Sequence, residues 1–259
     1  YEKHRDSGSL AFVSVSAEAS EKAAQGLPEA FWKSYLLDPG GAPIGASTAL
    51  QVCSLPGVFS HGELDEGTRL LLASLPAAIA TCASGRRPTA PGRTGFAGAP
   101  TRVLDFGCGA GVLTLWLLAT QPDWQVDALD IDRLALLSTR RSVAALAGAE
   151  PRLGLLHADG LEELRTSYDL VVSNPPFHDG QRQDLATTRQ FITACRARMR
   201  PGAGLVMVAN RFLPYPESLQ ACFGHCQVLA ETSRFRVYLA INAARTGSRG
   251  ERHVRFAPR

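Results

Sequence analysis

The sequence predicts an α/β protein whose doubly wound, mostly parallel sheet ends in an antiparallel hairpin. Three observations predict it. From residue 101 onward, short apolar runs alternate with segments of helical periodicity about 8–17 residues long, the pattern of βαβ units with helices on both faces of a sheet. The last two runs, 226–232 and 235–242, are separated only by Ser233 and Arg234. Two residues cannot hold a parallel crossover, so those strands must pair antiparallel. Finally, Asp105-Phe106-Gly107-Cys108-Gly109-Ala110-Gly111 follows an apolar run and opens a helix. Glycines at such a junction permit a tight turn and a close approach of backbone to a ligand.

In order, strands are predicted at 102–106, 125–130, 152–157, 168–173, 203–209, 226–232 and 235–242. Helices are predicted at 111–121, 133–147, 184–200 and 216–223. Upstream, Asp65 as N-cap and Leu70, Leu71, Leu72, Leu75 and Ile79 as apolar face predict a helix over 65–80. Residues 81–100 are rich in Pro and Gly and read as a loop. Residues 1–55 show weak periodicity and breakers such as Pro39-Gly40-Gly41; they read as an N-terminal extension, or the remnant of a truncated domain, ahead of a domain spanning 56–242. The chain starts without Met, which reads as a beginning inside a longer protein. The tail 243–259 carries Arg245, Arg249, Arg252, Arg255 and Arg259 without periodicity. It reads as disordered, or as an accessory phosphate-binding arm.

The composition bounds the function. The 259 residues are 45% hydrophobic and 20% charged, which supplies an ordinary globular core. No apolar run of about 18–20 residues is visible, so no transmembrane helix and no membrane partner are expected. The polar start lacks a signal-peptide pattern. The six cysteines, at 53, 82, 108, 195, 222 and 226, form no CxxC pair. They read as reduced thiols of a cytoplasmic protein. Cys222, His225 and Cys226 are close in sequence, but without a second ligand pair no metal site is expected. The net charge of +3 rests almost wholly on Arg, since Lys occurs only at 3, 22 and 33. Arg suits phosphate recognition; a compositional bias toward Ala, Gly and Arg gives the same balance. An RNA partner is permitted and DNA is not expected.

The glycine loop points to a particular ligand. The dinucleotide fingerprint G-x-G-x-x-G needs its third Gly one position later, where this chain has Val112. Here the spacing is G-x-G-x-G behind an acid, Asp105. A carboxylate suits the amino group of a methionine moiety and would repel a pyrophosphate. Gly107, Cys108, Gly109 and Gly111 are therefore candidate cofactor-binding positions, with Asp105. The next strand ends at Leu129-Asp130-Ile131-Asp132. An acid at that strand end can accept both hydroxyls of a ribose. Asp130 is the candidate, with Ile131 beside it, while Asp132 reads as the cap of the following helix. The third strand ends at His157-Ala158-Asp159-Gly160, where Asp159 can accept from an adenine amino group or simply cap a short helix. Together these positions imply S-adenosyl-L-methionine (AdoMet).

The chemical half is Asn174-Pro175-Pro176-Phe177, at the tip of the fourth strand. An exocyclic amino nitrogen conjugated to a ring is a poor nucleophile. A site helps by accepting its hydrogens, which the Asn174 side-chain oxygen and the Pro175 carbonyl can do, while the double proline stiffens the loop. Phe177 offers a face for base stacking. Methyl transfer from a sulfonium is an in-line displacement, so positioning can supply most of the acceleration and no strong general base is needed. These residues alone reach only as far as a planar amino group: adenine N6, guanine N2 or a glutamine amide.

A resemblance goes further. Asn174-Pro-Pro-Phe-His-Asp-Gly180, then Val208-Ala-Asn-Arg-Phe-Leu-Pro-Tyr-Pro216 and Phe235-Arg-Val-Tyr238, closely resemble the bacterial 16S ribosomal RNA guanine-N2 methyltransferases, the family of the small-subunit rRNA methyltransferase C type. So does Leu55-Pro-Gly-Val-Phe-Ser60 followed by Leu64-Asp-Glu-Gly67. The resemblance covers about residues 55–242. It implies the AdoMet-dependent class I methyltransferase fold and N2-methylation of one guanine of 16S rRNA, in the free RNA or the 30S particle. It also implies that Phe59 and the 65–70 region border the cofactor pocket and that His178 lies near the target base. The chain departs from that family in having only about 55 residues where a complete N-terminal domain is usual, and in the 81–100 insertion. Competing readings are a glutamine-amide N5 protein methyltransferase, a non-catalytic AdoMet- or RNA-binding scaffold and, more distantly, an NAD-dependent oxidoreductase.

Overall fold

A computed structural model describes residues 27–39, 49–84, 101–175 and 185–243, with 185–187 described by backbone only. The 85–100 stretch, Pro176, Phe177, His178 and the basic tail from 244 lie outside the described residues. A seven-stranded sheet carries the architecture. In chain order its strands are β3 (Arg102–Phe106), β4 (Gln125–Asp130), β5 (Leu153–His157), β6 (Tyr168–Ser173), β7 (Met199–Asn210), β8 (Gln227–Glu231) and β9 (Phe235–Ile241). Their order across the sheet is β5-β4-β3-β6-β7-β9-β8. The five strands β5, β4, β3, β6 and β7 pair parallel. β9 runs antiparallel to β8, as the short link predicts, although the link spans 232–234 rather than two residues; β9 is also antiparallel to β7. The predicted α/β class, mostly parallel with an antiparallel C-terminal hairpin, is the fold observed.

Alternating side chains of the central strands feed two hydrophobic layers. On one face Val103, Val126, Val172, Val206, Val208, Val237 and Leu239 pack with α1 (Glu66–Ser84), α2 (Val112–Thr120) and α3 (Arg133–Ala144). On the other, Leu104, Leu129, Val171, Leu205, Met207, Tyr238 and Ala240 pack with α4 (Leu185–Ala197) and α5 (Tyr215–Phe223). A sheet covered on both faces requires this continuous apolar text in its strands.

α1 runs four residues past the predicted end at 80, because Cys82 is buried in the first layer. Leu71, Leu75 and Ala78 are fully buried there, and each buried Leu contributes about 1.5–3 kcal/mol. With 19 residues and its apolar composition, α1 also meets the length criterion for a membrane span, which the run-by-run reading missed because Arg69, Ser74 and Pro76 interrupt it. Here its apolar face packs against β7 and β9.

No strand or helix is expected from the sequence ahead of residue 55. The structure has β1 (Lys33–Leu37) and β2 (Leu50–Ser54) there, paired antiparallel. They dock on α3: the Cys53 N–H donates to Ser142 Oγ at 2.8 Å and the Leu55 N–H to Ser138 Oγ at 3.2 Å. Leu37, Val52 and Leu55 belong to the same core layer as α1.

Candidate active site

The chain leaves β3 to build β4 and β5 on one side, then returns to place β6 on the other. Ligands of open α/β sheets bind where the strand order reverses, beyond the carboxyl ends of the strands. A cavity of about 810 Å³ lies there, lined by the tips of β3, β4 and β6 and by the segment after β5. It brings together Phe59, Gly107, Gly109, Asp130, Ile131, Asp159, Gly160, Asn174 and Pro175 of the sequence-predicted set. Asp105, Cys108 and Gly111 stand one layer behind that surface, all buried.

The loop at the tip of β3 is shaped by Gly107, Gly109 and Gly111, each with positive φ. Gly111 is the most constrained. At φ +78° it sits against α3, and a Cβ there would meet the Thr139 Cα at 2.8 Å and its Oγ1 at 2.6 Å. That close approach lets the Thr139 hydroxyl donate to the Gly109 carbonyl at 3.2 Å. On the outer side of the loop, the Phe59 Cβ would lie 3.3 Å from a Cβ on Gly109. Phe59 itself is half exposed at the cavity rim.

Gly111 is also the N-cap of α2 and has no side chain to cap with. Asp105 takes over that task from β3. Its Oδ2 accepts from the Thr114 N–H at 3.0 Å and from the Thr114 hydroxyl at 2.6 Å. Its Oδ1 is buried and has no hydrogen-bond partner among the described residues. Burial pushes the Asp105 carboxyl up to about 7 from 3.8; the Thr114 bonds oppose the shift and the charge of Asp130 adds to it. A raised carboxyl binds its proton more tightly when folded. It therefore contributes stability that is complete below about pH 4 and is lost as pH rises through about 7. Thermal unfolding of the ligand-free protein should show that decline, and Asp105→Asn, which keeps an acceptor for Thr114, should flatten it. An unchanged slope in the variant would assign the decline to another group.

Asp130 closes β4 and ties the loop to the next helix. Its Oδ2 accepts from the Gly109 N–H and its Oδ1 from the Asp132 N–H, both at 2.9 Å. Burial raises its carboxyl, against those two bonds. Asp132 caps α3 through the Leu134 N–H at 2.8 Å, as predicted. Ile131 is 61% exposed, an apolar face held out beside the Asp130 carboxylate. Asp159 is exposed at the cavity edge, followed by Gly160 at φ +100°.

Asn174 is the first residue beyond β6. Its amide nitrogen donates to Asp65 Oδ2 at 3.0 Å and to Thr68 Oγ1 at 2.9 Å. Its Oδ1 is buried without a partner among the described residues. Asp65 thus does more than the N-cap task read from sequence, although it performs that too, accepting from the Thr68 N–H at 2.8 Å. Other cavity residues missed by the sequence reading include Gln190, Phe191, Asn210, Arg234 and Phe235. Asn210, Arg234 and Phe235 fall inside or beside the blocks that carry the resemblance, which was the available signal; Gln190 and Phe191, on α4, carried none. Among the described residues no group of His, Cys, Asp and Glu could hold a metal ion.

This strand order, with a glycine loop and acidic strand tips around one cavity, defines a class I methyltransferase fold. The chain belongs to the methyltransferase small domain family, which it matches over residues 49–239. It is 43% identical over 211 residues to the ribosomal RNA small subunit methyltransferase C of Hahella chejuensis, covering 82% of this chain and 54% of that protein. Against the protein of the same name from Chromohalobacter salexigens it is 39% identical over 218 residues, covering 84% and 56%. Among solved structures it is similar to the T. thermophilus 16S rRNA guanine-N2 methyltransferase in complex with AdoMet and guanosine. The TM-score is 0.63 at 30% identity, over 82% of this chain and 50% of that one. The chain spans about half the length of these relatives.

Proposed function

We propose that the domain transfers a methyl group from AdoMet to the N2 amino group of a guanine in 16S ribosomal RNA. The observation that carries this reading is the single cavity joining the glycine loop and Asp130 to Asn174-Pro175. The T. thermophilus relative, solved with AdoMet and guanosine, supports the same pair of ligands.

The residues fit AdoMet in three respects. Asp130 stands at the strand end where a ribose diol binds. The unpaired, buried Oδ1 of Asp105 suits an ammonium donor, close behind a loop that lets a ligand approach its backbone. Ile131, exposed beside Asp130, offers an apolar face to a flat ring. When bound, AdoMet supplies an electrophilic methyl: the guanine N2 lone pair forms the new C–N bond, the S–C electron pair stays on sulfur, and a proton leaves nitrogen for water. Asn174 Oδ1 and the Pro175 carbonyl accept the amino hydrogens and hold the lone pair in line. Asp159 receives the adenine amino group, Phe59 closes the rim, and Phe177 and His178 engage the base. Ribosomal RNA, free or in the 30S particle, is the partner.

Asp130→Ala should weaken AdoMet binding by about 1–3 kcal/mol, as removal of a hydrogen-bonded carboxylate does. Calorimetric titration measures this; unchanged affinity moves the ribose contact elsewhere. Transfer of label from AdoMet to 16S rRNA, 23S rRNA, 30S particles and glutamine peptides tests the acceptor class. Label in peptide alone would replace this reading with a protein methyltransferase.

A further inference from the structure

We infer that Asp65 and Thr68, at the start of α1, are positioning residues that lock the Asn174 amide in the one orientation that presents its oxygen to the acceptor amino group. The inference rests on the methyl-transfer reading above. It follows from an inventory of hydrogens. An ionised carboxylate only accepts, so the Asn174 atom 3.0 Å from Asp65 Oδ2 must be the nitrogen. The Thr68 hydroxyl has one hydrogen, which it gives to the same Asp65 oxygen at 3.2 Å. Its lone pairs therefore face Asn174 and accept at 2.9 Å. Both neighbours are acceptors, and the amide nitrogen supplies the two hydrogens they require. A flipped amide would set its oxygen against the carboxylate, and the one Thr68 hydrogen could serve only one of those two acceptors.

The consequence lies at the other end of the amide. Oδ1 is buried and has no partner among the described residues. An unpaired acceptor at a substrate site awaits a donor that arrives with the substrate, and an exocyclic amino group brings two N–H bonds. The Asp65 charge behind the amide also polarises it. Oδ1 becomes a stronger acceptor as the attacking nitrogen turns cationic, an arrangement set before the reaction begins. Capping α1 does not require any of this: an N-cap needs one acceptor for the Thr68 N–H, and Asn serves there as well as Asp.

That equivalence supplies the test. In the full chain, Asp65→Asn keeps one oxygen for the cap and for the Asn174 nitrogen, which share Asp65 Oδ2, and removes only the charge that polarises the amide. Thr68→Val removes the hydroxyl, while Thr68→Ser retains it. Single-turnover methylation should fall about 10- to 100-fold in Asp65→Asn and Thr68→Val and recover in Thr68→Ser. The AdoMet Kd and the melting temperature should stay close to wild type. Rates within about twofold of wild type in Asp65→Asn and Thr68→Val, with Asn174→Ala inactive, would overturn the positioning role and leave the catalytic reading standing. An active Asn174→Ala would instead remove the catalytic reading, and this inference with it. A second readout needs no turnover: in the ligand-free protein the two Asn174 side-chain amide protons should be protected from exchange by NMR, and the one given to Thr68 Oγ1 should lose that protection in Thr68→Val. Unprotected protons in the wild type would overturn the inference whatever the methylation assay gives.

Discussion

Asn174→Ala should lower methyl transfer on the order of 100-fold or more while AdoMet affinity stays within a few-fold. The expected split follows from what the side chain touches. Its nitrogen is held by Asp65 and Thr68, and its oxygen has no partner among the described residues until an amino group arrives. Removing it leaves the glycine loop and Asp130 in place but takes away the acceptor that fixes the nucleophile, a contact made in the transition state more than in the cofactor complex. The variant also strips Asp65 and Thr68 of a partner at the start of α1, so a thermal melt belongs beside the kinetics. Single-turnover rates and calorimetric titration read the two quantities separately. Equal losses in rate and cofactor affinity would make Asn174 a structural residue of the pocket wall.

Gly111→Ala should be the most damaging small substitution in the cofactor half. The position needs φ +78°, which costs a residue with a Cβ about 1–2 kcal/mol. The added carbon would also lie 2.8 Å from the Thr139 Cα, backbone that cannot rotate away. Overpacking of that kind costs a further 1–3 kcal/mol or so, giving about 2–5 kcal/mol in all. Relief requires moving α3 or the loop, so AdoMet affinity should drop as well. Urea unfolding of the ligand-free protein measures the first effect; a loss under about 0.5 kcal/mol would mean the loop relaxes freely and that its shape is not fixed by this contact.

Much of the scaffold was legible because its signals are local. The hairpin is dictated by the two residues between the last two predicted strands, and the Asp132 cap by its place between a strand and an amphipathic run. The acids at 105, 130 and 159 were legible as strand tips from the ends of apolar runs. What escaped is non-local. Asp65 and Asn174 are 109 positions apart, and no periodicity connects them. Asp105 looked like a ligand contact, yet one of its oxygens caps α2 because Gly111 brings no side chain. β2 escaped for another reason: Val52, Cys53 and Ser54 are all buried, so the strand shows no alternation to read.

Methylation of a guanine amino group is tested most directly by the chemical identity of the product. The full chain would be incubated with AdoMet and 30S particles or 16S rRNA, and the RNA digested to nucleosides for mass spectrometry. The expected product is N2-methylguanosine, formed by the wild type and lost with Asn174→Ala. Methyladenosine, or methylated protein with unmodified RNA, would contradict guanine-N2 transfer.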